Sequence, residues 1–171
     1  MKILGIDPSI SSTGFCILED GKINSTWRLP TAASLRLEHR LGLLYQEVDK
    51  AITKTKPDYI VIEDIAHGAS RSVLKTVGAN IQARMATYHN DMVCFTIPPT
   101  SLKKAFTGNG RASKKDMINQ ALTNYGQKFQ NDIADAVALS SILYRYVKHK
   151  GGLGISQEEF SKYYRGAPLN D

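Results

Sequence analysis

Two short apolar runs, each closed by a carboxylate, constrain the fold of this chain more than any other feature. Ile3-Leu4-Gly5-Ile6 ends in Asp7, and Tyr59-Ile60-Val61-Ile62 ends in Glu63. A run that is apolar at consecutive positions suits a strand covered on both faces, as in a parallel sheet between helices. Each of these buried strands therefore ends in a carboxylate. Two carboxylates about 4 Å apart repel by about 4 kcal/mol at an effective dielectric near 20. Such acids persist where something binds them, and a divalent cation turns the repulsion into attraction.

Periodicity supplies the other elements. Residues 2–7 read as a strand, 13–19 as a second and 22–29 as a third that carries Trp27. Asp20-Gly21 is a two-residue hairpin turn, since both central positions need positive φ, so the second and third strands are antiparallel. Leu37, Leu41, Leu44, Val48 and Ile52 mark one face of a helix that ends before Pro57. Residues 58–63 are the fourth strand. Leu74, Val77, Ile81, Met85 and Tyr88 trace a second helix, and Val93, Phe95 and Ile97 alternate in a fifth strand closed by Pro98-Pro99. A short helix is expected at 101–106, then a loop at Gly108-Asn109-Gly110. Ser113-x-x-Asp116 resembles a capping box that opens a helix lasting to Gly126, and a final helix runs from about Asn131 to Val147. The order βββαβαβα plus a terminal region predicts an α/β protein, a mixed sheet with helices on its faces. Residues 1–150 form one domain, and 151–171 read as a C-terminal extension, partly mobile.

Composition narrows the function. The chain has 171 residues, 42% of them hydrophobic, which suits one domain with a real core. No stretch approaches the ~20 apolar residues of a membrane span, and the apolar start is too short for a secretion signal, so a cytoplasmic protein is expected. Cys16 and Cys94 lie in apolar segments without a CxxC partner, which predicts two buried free thiols rather than a zinc or redox site. The net charge of +6 fits a polyanion partner. Lys103, Lys104, Arg111, Lys114 and Lys115 concentrate that charge in a stretch without an acid.

In the last helix Asp132, Asp135, Leu139, Ile142 and Tyr146 are spaced by 3, 4, 3 and 4 residues. The two aspartates thus continue the core-facing stripe. The helix dipole favours acids in a first turn by about 0.3–1 kcal/mol; that accounts for one solvated aspartate and not for two turned inward. If the first and fourth strands are parallel neighbours, Asp7 and Glu63 emerge at the same edge, and a helix docked across it adds Asp132 and Asp135. Four carboxylates without His or Cys suit Mg²⁺ or Mn²⁺. Two such ions about 3.5–4 Å apart activate a water and stabilise the leaving oxygen in phosphodiester cleavage. A basic protein with such a site is expected to cut nucleic acid. The Gly108–Lys114 segment matches neither GxxxxGK[ST] nor GxGxxG, and remains a basic, glycine-hinged loop suited to phosphates.

Gly5-Ile6-Asp7-Pro8 with Thr13-Gly14, Ile62-Glu63, Gly108-x-Gly110-x-Ala112-x-Lys114 and Asp132-x-Ala134-Asp135-Ala136 together resemble RuvC, the Holliday junction resolvase family of the RNase H-like superfamily. The likeness runs in order over residues 2–147. It implies a five-stranded mixed sheet, the first three strands antiparallel and the rest parallel, with helices on both faces. It implies a homodimer that resolves four-way DNA junctions by paired symmetric nicking with Mg²⁺, two ions per site, Mn²⁺ also serving. Asp7, Glu63, Asp132 and Asp135 match the metal-binding catalytic acids, and Lys103 and Lys114 the active-site lysines. Lys103, Lys104, Arg111, Lys114, Lys115, His67 and Arg71 form the expected DNA-contacting set. The helix at about 72–89 builds the dimer contact in the family.

Departures mark where substrate choice is open. The family's aromatic wedge, three residues after the glutamate, is here Ala66, followed by His67. A wider taste for forks and flaps is one alternative, and a non-catalytic branched-DNA binder another, against which the four intact acids argue. Asp64 beside Glu63 is expected to turn to the other side of the sheet and serve structure. Lys148-His149-Lys150 fits a DNA-tracking cluster and a solvated helix end equally well. The Gly-Ile-Asp…Thr-Gly opening also resembles the first phosphate loop of actin-like and sugar-kinase-like ATPases, but those enzymes need two lobes around the nucleotide.

Overall fold

The computed structural model describes residues 1–65, 73–92 and 94–149, leaving aside the side chains of Val73 and His149. The elements are β1 (Lys2–Asp7), β2 (Ser12–Glu19), β3 (Lys22–Pro30), α1 (Leu37–Thr55), β4 (Tyr59–Glu63), α2 (Val73–His89), β5 (Cys94–Ile97), α3 (Pro99–Thr107), α4 (Lys114–Tyr125) and α5 (Asn131–His149). Three helices follow β5, more than the compact order βββαβαβα counts. The strands form one five-stranded sheet in the order β3-β2-β1-β4-β5. β1 pairs antiparallel with β2, and β2 with β3; β1 and β4 are parallel, as are β4 and β5. The expected mixed sheet is therefore present.

Local chemistry explains the turns. Asp20 and Gly21 have φ of 49° and 80°, the left-handed pair that a tight hairpin requires. Lys56 closes α1 in the same region, and Pro57 prevents its continuation. Gly126 ends α4 with φ of 71°. At the other end of α4, Ser113 Oγ accepts from the Asp116 N–H while Asp116 Oδ2 accepts from the Ser113 N–H, so the capping box forms.

Strand alternation divides the core in two. Ile3, Cys16, Leu18, Val61, Phe95 and Ile97 face α3, α4 and α5. Leu4, Ile6, Phe15, Ile17, Ile60 and Ile62 face α1 and α2. The consecutive apolar runs of β1 and β4 are thus buried on both faces. Truncating a buried side chain such as Ile62 or Leu139 to alanine costs about 2–5 kcal/mol. Phe15 stacks on Trp27 at 4.9 Å, which ties the outer hairpin to this core. Cys16 and Cys94 are free thiols; Cys16 is buried, but Cys94 is only half-buried, on the outermost strand.

The apolar stripe of α2 runs opposite to the way such stripes normally face. Ala79, Ala83 and Ala86 are buried in the core shared with α1 and the sheet, Val77 is half-buried, and Leu74, Ile81, Met85 and Tyr88 are exposed. Among the described residues no helix is long and apolar enough to cross a membrane.

Candidate active site

Period-2 geometry aims two of the acids. In β1, Ile3 faces α5, Leu4 and Ile6 face the other way, and Asp7 therefore returns to the α5 side. In β4, Val61 faces α5 and Ile62 does not, so Glu63 also returns to it. Ile6 pairs with Ile62 in the parallel ladder, which sets Asp7 beside Glu63 at one edge.

Two glycines bring the other acids down. A Cβ on Gly5 would stand 2.3 Å from the Ala136 carbonyl oxygen, and one on Gly14 would stand 1.9 Å from the Asp132 carbonyl oxygen. No side chain fits at either point. The first turns of α5 thus lie directly on β1 and β2, and Asp132 and Asp135 hang over the edge that holds Asp7 and Glu63.

The electrostatics record this convergence. Asp7 is raised well above the ordinary carboxylate range, first by burial and then by Glu63, Asp135 and Asp132. Glu63 is raised to about 7 by burial and by Asp135. Asp135 is raised to about 6, again mainly by burial, with Asp132 adding to it. Lys103 opposes the rise at both Glu63 and Asp135, and Lys114 opposes it at Asp135. Both lysines therefore lie near enough to act on the acid cluster electrostatically, one from α3 and one from the first position of α4.

The remaining predicted residues separate. Lys104, Arg111 and Lys115 are exposed on α3, the following loop and α4. His67 and Arg71, with Ala66, lie outside the described residues, as does the extension 151–171. Asp64, one residue past the end of β4, turns away from the cluster and meets Arg84 of α2 at 2.7 Å. Asn80 and Arg84 were not singled out from sequence. Asn80 Nδ2 donates to the Glu63 carbonyl at 2.6 Å, and no short motif announces a contact between residues so far apart in the chain.

The donor set fits a hard divalent cation, being carboxylate oxygen throughout. Among the described residues no group of three or more His, Cys, Asp or Glu side chains stands close enough together to hold a metal ion as placed. Buried polar atoms without a protein partner also gather at this edge, namely Ser12 Oγ at the start of β2 and Asn131 Oδ1 beside Asp132. Raised carboxylates and unpartnered oxygen atoms are what a hydrated cation would relieve.

Comparison with known proteins identifies the family and the fold. The sequence profile of the family described as "Crossover junction endodeoxyribonuclease RuvC" matches residues 3–142. The RuvC of Caldicellulosiruptor saccharolyticus is 30% identical over 165 residues, covering 85% of this chain and 98% of its own. That of Salinibacter ruber is 33% identical over 150 residues, covering 82% of this chain and 83% of its own. Among solved structures, Thermus thermophilus RuvC superposes with a TM-score of 0.75 at 19% identity, over 88% of this chain and 97% of the other. The same protein solved in complex with Holliday junction substrate gives a TM-score of 0.75 at 19% identity, over 88% and 96%. At that identity the structures speak for the fold, and the sequence matches carry the family. The RNase H-like sheet, the converging acids and a match over most of the chain lead to one assignment: the chain belongs to the RuvC family of crossover junction endodeoxyribonucleases.

Proposed function

We propose that this chain resolves four-way DNA junctions by Mg²⁺-dependent paired nicking, acting as a homodimer in the cytoplasm. The observation that carries the reading is the convergence of Asp7, Glu63, Asp132 and Asp135 from three separated segments on one sheet edge. Nothing in folding requires four acids there. Their mutual repulsion opposes it.

Asp7, Glu63, Asp132 and Asp135 would hold the metal, with room in the donor set for two ions. When bound, a pair of divalent cations activates the attacking water and stabilises the leaving oxygen of a phosphodiester. The protein's own groups do the positioning. Lys103 and Lys114 oppose the cluster's negative charge and present ammonium groups to a phosphate that must approach four acids. The capping box fixes Lys114 by starting α4 at Ser113. Lys104, Arg111 and Lys115 extend the positive surface away from the cut, where phosphate contacts supply affinity rather than chemistry. The segment with His67 and Arg71 follows Glu63 closely in the sequence and is where junction shape would be read.

A junction is near two-fold and needs two symmetric cuts, so a two-fold dimer suits it. The outward row of Leu74, Ile81, Met85 and Tyr88 on α2 supplies an apolar face for a second copy. Tyr88 is 72% and Leu74 79% exposed in the single chain, far from the usual state of such residues.

The test is cleavage of labelled four-way junction, fork, linear duplex and RNA–DNA hybrid, with Mg²⁺ and with EDTA. Junction cutting that needs Mg²⁺ is expected. Equal cutting in EDTA would end the metal reading, and no cutting of any branched DNA would end the resolvase reading. Comparable rates on fork and junction would replace strict junction selectivity with a broader branched-DNA activity. Raising salt should weaken binding steeply, because phosphate contacts release counterions.

A further inference from the structure

The peptide that follows the Glu63 side chain is gripped from behind the sheet. Glu63 turns its carboxylate toward α5, while its carbonyl and the next residue face α2. Asn80, only 2% exposed, donates Nδ2 to the Glu63 carbonyl at 2.6 Å. One turn later Arg84 donates Nη2 to Asp64 Oδ1 at 2.7 Å. Asp64 Oδ1 also accepts from the Ile65 N–H at 2.9 Å, and the Asp64 N–H reaches the Ile97 carbonyl at 2.8 Å. The end of β4 is thus fixed on α2 by two side chains and on β5 by the ladder.

These two side chains are not arranged for their own satisfaction. Asn80 Oδ1, an acceptor, and Arg84 Nε, a donor, are both buried without a partner. They stand four residues apart on one helix, where side chains face one another. Each is turned instead to β4. A buried polar atom left unpaired is destabilising, so this arrangement favours the placement of the β4 end over the stability of α2. Arg84 has a second effect. Asp64 is a fifth carboxylate next to Glu63, and its pairing with Arg84 keeps it on the far side of the sheet.

We propose that Asn80 and Arg84 are positioning residues for Glu63: they lock the Glu63–Asp64 peptide, so that the Glu63 carboxylate reaches the metal side and the Asp64 carboxylate does not. The proposal rests on the reading that Glu63 holds a metal ion. Groups that orient metal ligands typically change metal affinity or activity by about 10–100-fold when removed.

The test uses Arg84→Ala, Arg84→Lys, Asp64→Asn, the double variant D64N/R84A, and Asn80→Ala. For each, Mn²⁺ affinity is measured by calorimetry, kcat and KM on a four-way junction by cleavage, and junction affinity by titration in EDTA. Arg84→Ala is expected to lower kcat by about tenfold and to weaken Mn²⁺ binding, with junction affinity in EDTA within about twofold of the parent. Arg84→Lys keeps most of the activity. D64N/R84A returns to the level of Asp64→Asn, because the misplaced carboxylate is gone. Asn80→Ala follows Arg84→Ala in kcat and in Mn²⁺ affinity. Unchanged kcat and Mn²⁺ affinity in Arg84→Ala would overturn the proposal. So would a double variant no better than Arg84→Ala, since a merely structural loss is not repaired by removing Asp64. A parent protein that binds no Mn²⁺ would instead refute the metal reading of Glu63.

Discussion

Helices α2 and α5 lie on opposite faces of one sheet, and both approach it through small residues, yet they use that closeness differently. α5 presses Ala134, Ala136 and Ala138 inward and rests on Gly5 and Gly14, where a Cβ would collide with its backbone. Its approach is therefore fixed, and the fixed quantity is the height of Asp132 and Asp135 above the sheet edge. α2 also turns alanines inward, but its large apolar side chains point out and its polar ones reach for the end of β4. Close packing of small residues leaves a helix's other faces free. In α5 the freed positions carry acids to a site; in α2 they carry an apolar surface to the outside.

The largest effect is expected from Gly14→Ala. The new methyl carbon would lie 1.9 Å from the Asp132 carbonyl oxygen, a contact with backbone that cannot turn aside. α5 must lift. A displacement near 1 Å in a catalytic constellation lowers rate by about 100-fold, and overpacking of this kind destabilises by about 1–3 kcal/mol. Cleavage assays with Mg²⁺ and thermal unfolding measure the two losses. Near-parent activity would mean that α5 has slack and that the glycine seat does not set the site.

Asp7→Asn comes next and separates chemistry from stability. Cleavage should disappear while junction binding holds or tightens, since a charge that repels phosphate is gone; a large loss of binding would refute that role for Asp7. Stability should move the other way. Glu63 and Asp135 are raised to about 7 and about 6 in the folded state. A carboxylate raised on folding binds its proton more tightly in the native state. Its stabilising contribution is complete below the ordinary carboxylate range near pH 4 and is lost as pH rises through about 6 to 7. Metal-free protein should therefore be less stable at pH 8 than at pH 5 on account of this cluster. Asp7→Asn relieves the repulsion and should raise the metal-free Tm at pH 8, by roughly 2–4 °C for each kcal/mol recovered. A lower Tm would show that Asp7 contributes more through its contacts in the folded state than it costs in repulsion.

Much of the α5 half of the comparison was legible in the sequence. The run Tyr59–Ile62 declares a doubly covered strand, and counting by two from its apolar residues turns Glu63 toward one side and Asp64 toward the other. The 3-4 spacing from Asp132 to Ile142 places both aspartates on the stripe that faces the sheet. The reason for Gly5 and Gly14 was not legible, because it depends on how closely a helix more than a hundred residues away approaches. The α2 half read less well. A stripe at Leu74, Val77, Ile81, Met85 and Tyr88 establishes a helix with two unlike faces, but periodicity does not say which face meets the sheet. The buried alanines between them decide it, since they are the residues of α2 turned into the core. Asn80 and Arg84 gave no local signal, because their partners lie on another strand and are in one case a backbone carbonyl.

A smaller effect tests the outward face of α2. Ile81→Asp places a charge in the middle of the exposed row, at a residue 47% exposed in the single chain. The isolated fold should tolerate it within about 0.5 kcal/mol, as exposed positions usually do. A dimer closed over this face should not, since an unpaired charge in an apolar interface must be desolvated. Sedimentation should then show monomer at concentrations where the parent is a dimer, and paired nicking should give way to single nicks. An unchanged dimer would move the contact to another surface and leave the row on α2 without the role proposed for it.

The smallest effect is expected at Gly78, and its sign completes the contrast with Gly14. Gly78 lies in the middle of α2, and a Cβ there would meet only the Leu41 side chain, at 3.3 Å from Cδ2. That contact is tight but ends on a rotatable methyl rather than on backbone. Replacing a mid-helix glycine by alanine recovers about 0.5–1 kcal/mol of backbone entropy, against which the small shift of Leu41 must be set. Gly78→Ala should therefore be neutral or stabilising by up to about 1 kcal/mol, with kcat unchanged. A loss of stability would mean that α2 is seated on α1 as rigidly as α5 is seated on the sheet. A loss of kcat at unchanged stability would mean instead that small movements of α2 reach Glu63 through Asn80 and Arg84, so one substitution measures both how much room the helix has and where its displacement is felt.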